Sequence, residues 1–216
     1  MEKLLCPSMM CANYGNLSEE VEKLEKAGAD IFHIDIMDGQ FVPNFGMGLQ
    51  DVEFICKKAT IPVDAHLMIE NPGSYVEKFA KMGIKIIYIH PESDVHPTRT
   101  LQSIIDAGAI PGIAINPGTA VATIKPLLPF VKYVMVMSVN PGFAGQKYIS
   151  SVDEKIKELI ELKEKYGYEV MLDGACSPER VETLSKMGVK GFILGTSALF
   201  GKGKPYKELL DGLRAL

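Results

Sequence analysis

Four stretches of the chain share one pattern, in which a helical segment ends at a glycine and an apolar run begins directly after it. The four glycines are Gly28, Gly83, Gly108 and Gly188, so they lie 55, 25 and 80 residues apart. These spacings are close to two, one and three repeats of about 27 residues. Eight such repeats account for a chain of 216 residues. The sequence therefore predicts eight successive strand–helix units.

The apolar run of each unit is the predicted strand, and the eight runs fall at residues 4–8, 31–36, 63–68, 84–89, 110–115, 133–139, 169–173 and 191–194. Helical patterns follow at residues 17–27, 49–59, 73–82, 98–107, 119–128, 152–166, 178–187 and 205–215. Regular alternation of this kind indicates parallel strands, because parallel neighbours need a crossover that is usually helical. Eight units predict a single-domain (β/α)8 TIM barrel over residues 1–216. The alternative is an open doubly wound sheet, but the GxGxxG turn typical of one is missing after the first strand.

The charge, the apolar runs and the cysteine spacing of the chain argue against some classes of binding partner. The formal net charge is −4 and no basic run is longer than two residues, which argues against a nucleic-acid or anionic-membrane surface. No stretch approaches the roughly 20 apolar residues of a membrane span, and the four cysteines form no CxxC pair. Scattered cysteines of this kind are typical of reduced thiols. We expect a cytoplasmic protein with neither a nucleic-acid nor a membrane partner.

Histidine and aspartate side chains gather at the ends of three predicted strands. His33 and Asp35 share one face of the second strand, His66 lies near the end of the third, and Asp173 ends the seventh. Active sites of (β/α)8 barrels lie where the strands end. Two imidazoles and two carboxylates suit one divalent ion such as Zn, Mn, Fe or Co. The alternative is that each histidine is an ordinary hydrogen-bonded core residue.

Other residues of the same strands have two open interpretations. Asp64 lies one layer beneath His66 and either orients a ligand histidine or is a structural carboxylate. Met37, Met68 and Met137 face inward near the strand ends, where they either fill an irregular core or line a dry cavity around a developing negative charge.

Loops after the sixth and eighth strands have the character of a phosphate site. Residues 142–145 form a glycine-containing loop, and Gly195-Thr196 opens a short helical piece. Backbone amides in such places bind phosphate without a basic side chain. Gly174 and Ser8 complete the mouth, although turn capping is an equal interpretation for the serine. The sequence therefore predicts a phosphorylated small-molecule ligand.

This set of groups permits an epimerisation. A metal next to a carbonyl acidifies the adjacent carbon. If Asp35 and Asp173 lie on opposite faces of that carbon, one removes a proton and the other returns one, and the carbon inverts. No motif for a nicotinamide, flavin or nucleotide is present.

Five segments together resemble the ribulose-phosphate 3-epimerase family: CPSMMCANYGNL, FHIDIMDGQFVPN, VDAHLM, MSVNPGFAGQKY and the Asp173-Gly174 turn. The resemblance implies a metal-dependent (β/α)8 enzyme that epimerises C3 of a ketose phosphate and forms a homo-oligomer. It implies acid/base roles for Asp35 and Asp173, which also complete the metal ligands with His33 and His66, and methionines 37, 68 and 137 around the intermediate. The substrate contacts that it implies are Ser8, His66, Gly142, Phe143, Ala144, Gly145, Gly174, Ala175, Gly195 and Thr196.

Details of the loops bear on the sugar. Where this chain has Asp173-Gly-Ala-Cys176, pentulose-phosphate enzymes of the family typically carry Asp-Gly-Gly-Ile. They typically carry a glycine pair in place of Ala144-Gly145 and Gly-Ser-Ala in place of Gly195-Thr-Ser. With the segments SMMC and HPE, these features look more like the D-allulose-6-phosphate 3-epimerase branch, so an allulose 6-phosphate/fructose 6-phosphate pair is expected. The alternative is the ribulose 5-phosphate/xylulose 5-phosphate pair. Cys176 is expected to be a packing residue.

Two further functions compete with the epimerase. The decarboxylase and aldolase group of phosphate-binding barrels typically shows Asp-x-Lys-x-x-Asp, but Asp35-Ile-Met-Asp38 lacks the lysine. A metal- or sugar-phosphate-binding barrel without turnover would be expected to have lost one acid/base aspartate, and both are present.

Overall fold

A computed structural model of the chain describes residues 3–216 and shows eight parallel strands around a common axis. The strands are β1 (Leu4–Pro7), β2 (Phe32–Met37), β3 (Val63–Met68), β4 (Ile86–Ile89), β5 (Ile110–Ile115), β6 (Tyr133–Met137), β7 (Glu169–Asp173) and β8 (Gly191–Leu194). Each strand pairs with the next one in the chain from β2 to β8, and β8 pairs in turn with β1. The remaining edges, β1 and β2, meet through a single bridge between Ser8 and His33. The expected (β/α)8 barrel is confirmed.

Helices follow the strands and cover the outside of the barrel. They are α1 (Leu17–Lys26), α2 (Leu49–Lys58), α3 (Val76–Met82), α4 (Pro97–Asp106), α5 (Val121–Ile124), α6 (Val152–Tyr166), α7 (Pro178–Met187) and α8 (Tyr206–Ala215). In the described part of the chain, none of these helices has the length and apolar character needed to cross a membrane.

The predicted element bounds agree with the structure to within about two residues at most ends, with two exceptions in the helices. The helix expected at 119–128 is a single α-helical turn, α5, that continues as a 3₁₀ segment, Lys125–Phe130. Pro126 and Pro129 lie in that segment, and proline cannot donate the backbone hydrogen bond that an α-helix needs. The helix expected at 73–82 begins at Val76, after a 3₁₀ turn.

Alternation along the strands separates two apolar layers. One set of side chains, such as Ile34 and Leu67, packs outward against the helices. The other set points into the barrel, where Tyr88, Met135 and Met171 are fully buried. These inward residues fill the barrel beneath its mouth, so the interior is a packed core.

Candidate active site

The four side chains expected at the strand ends converge in the structure. One ligand atom from each of His33, Asp35, His66 and Asp173 lies within 4.8 Å of every other. His33 Nε2 is 3.4 Å from Asp35 Oδ1, and His66 Nδ1 is 3.4 Å from Asp173 Oδ2. The pairing of β2 with β3 sets Asp35 beside His66, and β7 contributes Asp173 from across the barrel. We call these four residues the His/Asp cluster.

Two features show that the His/Asp cluster suits a cation. His33 Nε2 and His66 Nδ1 are buried and have no hydrogen-bond partner among the described residues, so each offers a free lone pair or an unsatisfied proton. Although burial opposes the charged imidazole, the carboxylates of Asp64 and Asp35 raise the pKa of His33 well above its usual value. The two histidines, against the effect of burial, hold the pKa of Asp35 below its usual range. A metal ion takes the place of such protons, because ligand atoms must be deprotonated.

Each histidine of the His/Asp cluster has a partner on its other ring nitrogen. His33 Nδ1 lies 2.7 Å from Asp64 Oδ1, and both side chains are fully buried. Asp64 therefore orients His33, and not the adjacent His66. His66 Nε2 lies 2.8 Å from Nε2 of His90, whose pKa burial lowers to about 4. Ligand histidines are commonly held in this way through their second nitrogen.

A cleft of about 560 Å³ opens above the His/Asp cluster. Asp35 and Asp173 belong to its wall, whereas His33 and His66 lie beneath it, so the expected substrate contact of His66 is not among the wall residues. The described residues that line the cleft include no lysine or arginine. The other expected residues all line it: Ser8, Met37, Met68, Met137, Gly142, Phe143, Ala144, Gly145, Gly174, Ala175, Gly195 and Thr196.

Hydrogen bonds fix the backbone around the cleft. The hydroxyl of Ser8 donates to Asp35 Oδ2 at 2.7 Å, which leaves Oδ1 toward the histidines. The buried hydroxyl of Ser138 donates to the backbone carbonyls of Asp173 and Gly174. Gly174 has φ of +99°, and a β-carbon there would lie 2.6 Å from Val139. The turn after β7 therefore needs glycine at this position.

The barrel, its His/Asp cluster and its cleft can be compared with known proteins. The sequence model described as "Ribulose-phosphate 3 epimerase family" matches residues 4–200. The chain belongs to this family. As a member, it is an isomerase of the carbohydrate-phosphate 3-epimerase type.

Curated relatives of the family match nearly the whole chain. The ribulose-phosphate 3-epimerase of Aquifex aeolicus is 39% identical over 92% of this chain and 90% of its own length. The enzyme of that name from Bacillus subtilis is 38% identical over 96% of both chains. The archaeal protein of that name from Methanocaldococcus jannaschii is 39% identical over 90% of this chain and 83% of its own. The chain is thus similar to epimerases from both bacteria and an archaeon.

Solved structures show the fold beyond the family. A mutant tryptophan synthase α-subunit from Pyrococcus furiosus superposes with a TM-score of 0.72 at 14% identity, covering 99% of this chain and 98% of its own. Phosphoribosyl anthranilate isomerase from Thermus thermophilus gives a TM-score of 0.65 at 12% identity, covering 98% and 96%. Identity this low is evidence for the shared barrel alone.

His90, the hydrogen-bond partner of His66, is a buried polar residue near the cluster that was not predicted from the strand ends. It follows directly after β4, at the position where the other polar residues were found on β2, β3 and β7. The same rule applied to the fourth strand finds it. Met10 and Cys11 also line the cleft, and the 3₁₀ turn that carries them has no periodic signal in the sequence.

Proposed function

We propose that the chain inverts C3 of a ketose phosphate, with Asp35 and Asp173 as the acid/base pair and a divalent ion held by the His/Asp cluster. One observation carries the proposal: of the four cluster residues, the two carboxylates alone also line the cleft. Two acids are thus in reach of a substrate, while the two buried histidines are placed to act as ligands. The bound ion supplies Lewis-acid chemistry, drawing charge from nearby substrate oxygens and acidifying the carbon beside the carbonyl.

The chain's own residues account for the proton transfers. One carboxylate takes the C3 proton, and the electrons of the broken C–H bond pass into an enediolate. The opposite carboxyl group, protonated at the start, gives its proton to the other face of C3, so the substrate is inverted with no net loss of atoms. Both carboxylates lie 3.4–3.8 Å from the nitrogens of the two histidines, which places them at the base of the cleft wall. Met37, Met68 and Met137 provide an apolar wall that excludes water from the charged intermediate.

The phosphate of the substrate is assigned to the loops after β6, β7 and β8. Support comes from the cleft wall, which includes glycine-containing backbone at 142–145, 174–175 and 195–196. With no basic side chain in that wall, the available donors are backbone amides and the uncharged side chains of Asn140, Gln146, Thr196 and Ser197. Asn44 donates its side-chain amide to the carbonyl of Gly142 at 2.7 Å, tying the loop after β2 to the loop after β6 across the mouth.

For the sugar we propose the D-ribulose 5-phosphate/D-xylulose 5-phosphate pair, supported by the names of the relatives from Aquifex aeolicus and Bacillus subtilis. A second candidate is the D-allulose 6-phosphate/D-fructose 6-phosphate pair. One observation favours it: Ala175, where the pentulose enzymes typically have glycine, lies in the cleft wall with φ of +47°. The phosphate end of this cleft therefore differs from the pentulose pattern in a residue that touches the ligand space.

Proton exchange in heavy water tests the reaction. Each epimer is incubated with the Zn²⁺-loaded enzyme, and deuterium at C3 is followed by NMR. Wild type should place deuterium in the product of either direction. Asp35→Asn and Asp173→Asn should each lower turnover by a factor of about 10² to 10⁴, whereas Asp211→Asn on the surface of α8 should not. Full activity of either cluster variant would refute the acid/base assignment.

Turnover of the two sugars tests the substrate. The ratio of kcat/KM for ribulose 5-phosphate and allulose 6-phosphate is measured on the same enzyme preparation. A preference above about a hundredfold, roughly 3 kcal/mol in the transition state, decides between the pentulose and the hexulose. A preference of that size for allulose 6-phosphate would overturn the first choice.

A further inference from the structure

His90 is a fully buried titratable residue that the proposed proton transfers do not use. Its ring meets that of His66 edge to edge, with centroids 5.0 Å apart and 24° between the ring planes, and is covered on another side by Phe41 at 4.8 Å. It is neither a member of the His/Asp cluster nor a wall residue of the cleft. The Nε2 atom of this buried imidazole lies 2.8 Å from Nε2 of His66. Because buried polar groups are generally hydrogen-bonded, the contact indicates a specific role for His90.

The direction of the His66–His90 hydrogen bond follows from the chemistry of the ligand atom. His66 presents Nδ1 to the carboxylates, at 3.6 Å from Asp35 and 3.4 Å from Asp173. A nitrogen that binds a metal carries no proton, so the single proton of neutral His66 is on Nε2. That N–H donates to Nε2 of His90, which must accept. His90 then carries its own proton on Nδ1.

The position of Glu92 is consistent with this assignment of protons to the two rings. Glu92 Oε2 lies 3.4 Å from Nδ1 of His90, a charge contact whose geometry falls short of a hydrogen bond, and an ionised carboxylate at that distance favours a proton on Nδ1. Glu92 is itself fixed from the other side, because its Oε1 accepts the backbone N–H of Asn116 at 2.9 Å and the hydroxyl of Thr119. Lys155 of α6 donates to the carbonyl of Asn116 at 2.7 Å and so steadies the loop after β5. We call the series of contacts from Lys155 of α6 through Glu92 and His90 to His66 the relay, and it ends at the His/Asp cluster.

We propose that His90 and Glu92 are positioning residues that fix the tautomer and ring orientation of His66, so that Nδ1 faces the cluster as a metal ligand. The inference rests on the proposed metal site and adds residues that neither touch substrate nor bind the ion. His33 receives its orientation directly from the carboxylate of Asp64, whereas His66 receives it through a neutral imidazole. The two ligand histidines are therefore held by partners of different charge.

A tautomer measurement tests the relay without reference to activity. The chain has four histidines, so a protein labelled with ¹⁵N-histidine gives a spectrum of few signals, in which two-bond ¹H–¹⁵N couplings identify the protonated nitrogen. In the Zn²⁺-loaded full chain, we expect His66 with its proton on Nε2 and His90 with its proton on Nδ1. A proton on Nε2 of His90 would reverse the bond and overturn the proposal.

Zn²⁺ affinity, measured by competition with a chromophoric chelator, gives the second readout. His90→Phe keeps a ring but removes the acceptor, and it should weaken Zn²⁺ binding by about 10- to 100-fold. His90→Gln places an amide oxygen near the position of Nε2 and should stay within about threefold of wild type. His96→Asn, an exposed histidine six residues further on, is the matched control and should not change the affinity.

The outcomes separate this inference from the proposed function. Wild type that binds no Zn²⁺ overturns the metal site and, with it, the purpose of the relay. Wild type that binds Zn²⁺ while His90→Phe binds it equally well overturns the relay alone. Should His90→Phe fail to fold, Glu92→Ala serves instead, because its side chain is partly exposed. A mixture of His90 tautomers in that variant supports the relay, and an unchanged spectrum overturns it.

Discussion

Asp64 shows what a single buried carboxylate does for the site. It lies 2.7 Å from Nδ1 of His33, and burial raises its pKa above the usual value. Asp64→Asn keeps the size and an oxygen acceptor but removes the charge that favours the ligand geometry of His33. We expect Zn²⁺ affinity to fall about 10- to 100-fold, measured by chelator competition. Asp211→Asn, an exposed change on α8, should have no effect, and equal affinities for the two variants would contradict the role given to Asp64.

Ala175 carries a local conformational cost. Its φ of +47° lies in the left-handed region, which costs an L-residue with a β-carbon about 1 kcal/mol or more. Ala175→Gly should therefore raise the melting temperature by about 2 °C. Ala59→Gly is the matched control, because Ala59 has φ of −69° and gains nothing from the extra freedom. If both substitutions lower the melting temperature equally, Ala175 is not strained.

The sequence pattern predicts the site residues that lie at the strand ends. It does not predict residues whose role depends on distances between side chains. His33, Asp35, His66 and Asp173 were predicted to meet because period two and the barrel rule fix their face and height. The partner of Asp64 was left open, since a one-dimensional pattern cannot say whether a carboxylate reaches along its own strand or across to the next one. Strand pairing sets Asp64 beside His33, and the bond forms across the pair.

At the scale of elements, the seam between β1 and β2 is the weakest part of the barrel. A single bridge joins these strands near the mouth, and polar contacts close the opposite end. There, Asp30 Oδ2 accepts the backbone N–H of Leu5 at 2.7 Å and pairs with Arg214 of α8 at 2.9 Å. Arg214 also donates to the carbonyl of Gly28 at 2.6 Å. The last helix therefore holds together the first two strands.

Arg214→Ala tests that closure. The guanidinium is partly exposed, so we expect a loss of about 1–2 kcal/mol and a fall in melting temperature of about 3–6 °C. Turnover at low temperature should be unchanged, because Arg214 lies at the end of the barrel away from the cleft. Arg99→Ala, at an exposed position of α4, is the control and should leave the melting temperature within about 1 °C. Hydrogen exchange should show faster opening at the Leu5 amide in Arg214→Ala alone.

Element bounds were predictable where periodicity was strong and were lost where proline intervened. The runs at 63–68 and 110–115 coincide with β3 and β5, because the first alternates between apolar and polar residues and the second is an uninterrupted apolar run. The fifth helix was expected to be longer than the single turn of α5, since its apolar residues continue through two prolines. The spacing of apolar residues does not reveal that the two prolines lack the backbone N–H groups that an α-helix needs.

At the scale of the whole molecule, the fold was predictable because eight repeats of one unit leave few ways to bury every strand. The identity of the sugar was not, because it depends on ångström differences in loop backbone at the phosphate end. Ala175 illustrates this, since it lies in the cleft wall with a left-handed φ, and no sequence pattern gives a φ value for an alanine. The reaction type depends on which chemical groups lie together in the site. The length of the substrate depends on the distances between those groups.

The proposed metal would link binding to folding through the His/Asp cluster, which joins β2, β3 and β7 around one point. An ion that binds the native chain at 100 times its dissociation constant stabilises it by about 2.7 kcal/mol. For a chain of this size, that corresponds to a rise in melting temperature of roughly 5–10 °C. We therefore expect EDTA to lower the melting temperature and added Zn²⁺ to restore it, as followed by calorimetry. Mn²⁺ should act in the same direction, and it avoids binding to thiols of the unfolded chain.

Asp173→Asn should lose most of this shift, because it removes one charged ligand while its side chain stays partly exposed and close to native size. Asp211→Asn should keep the whole shift, since it lies on α8 outside the cluster. The stabilisation should also saturate with ion concentration, because a single site binds one ion per native chain. Equal shifts in both variants would mean that the ions act elsewhere on the protein. If the wild type has the same melting temperature in EDTA and in Zn²⁺, the cluster has no role in metal binding.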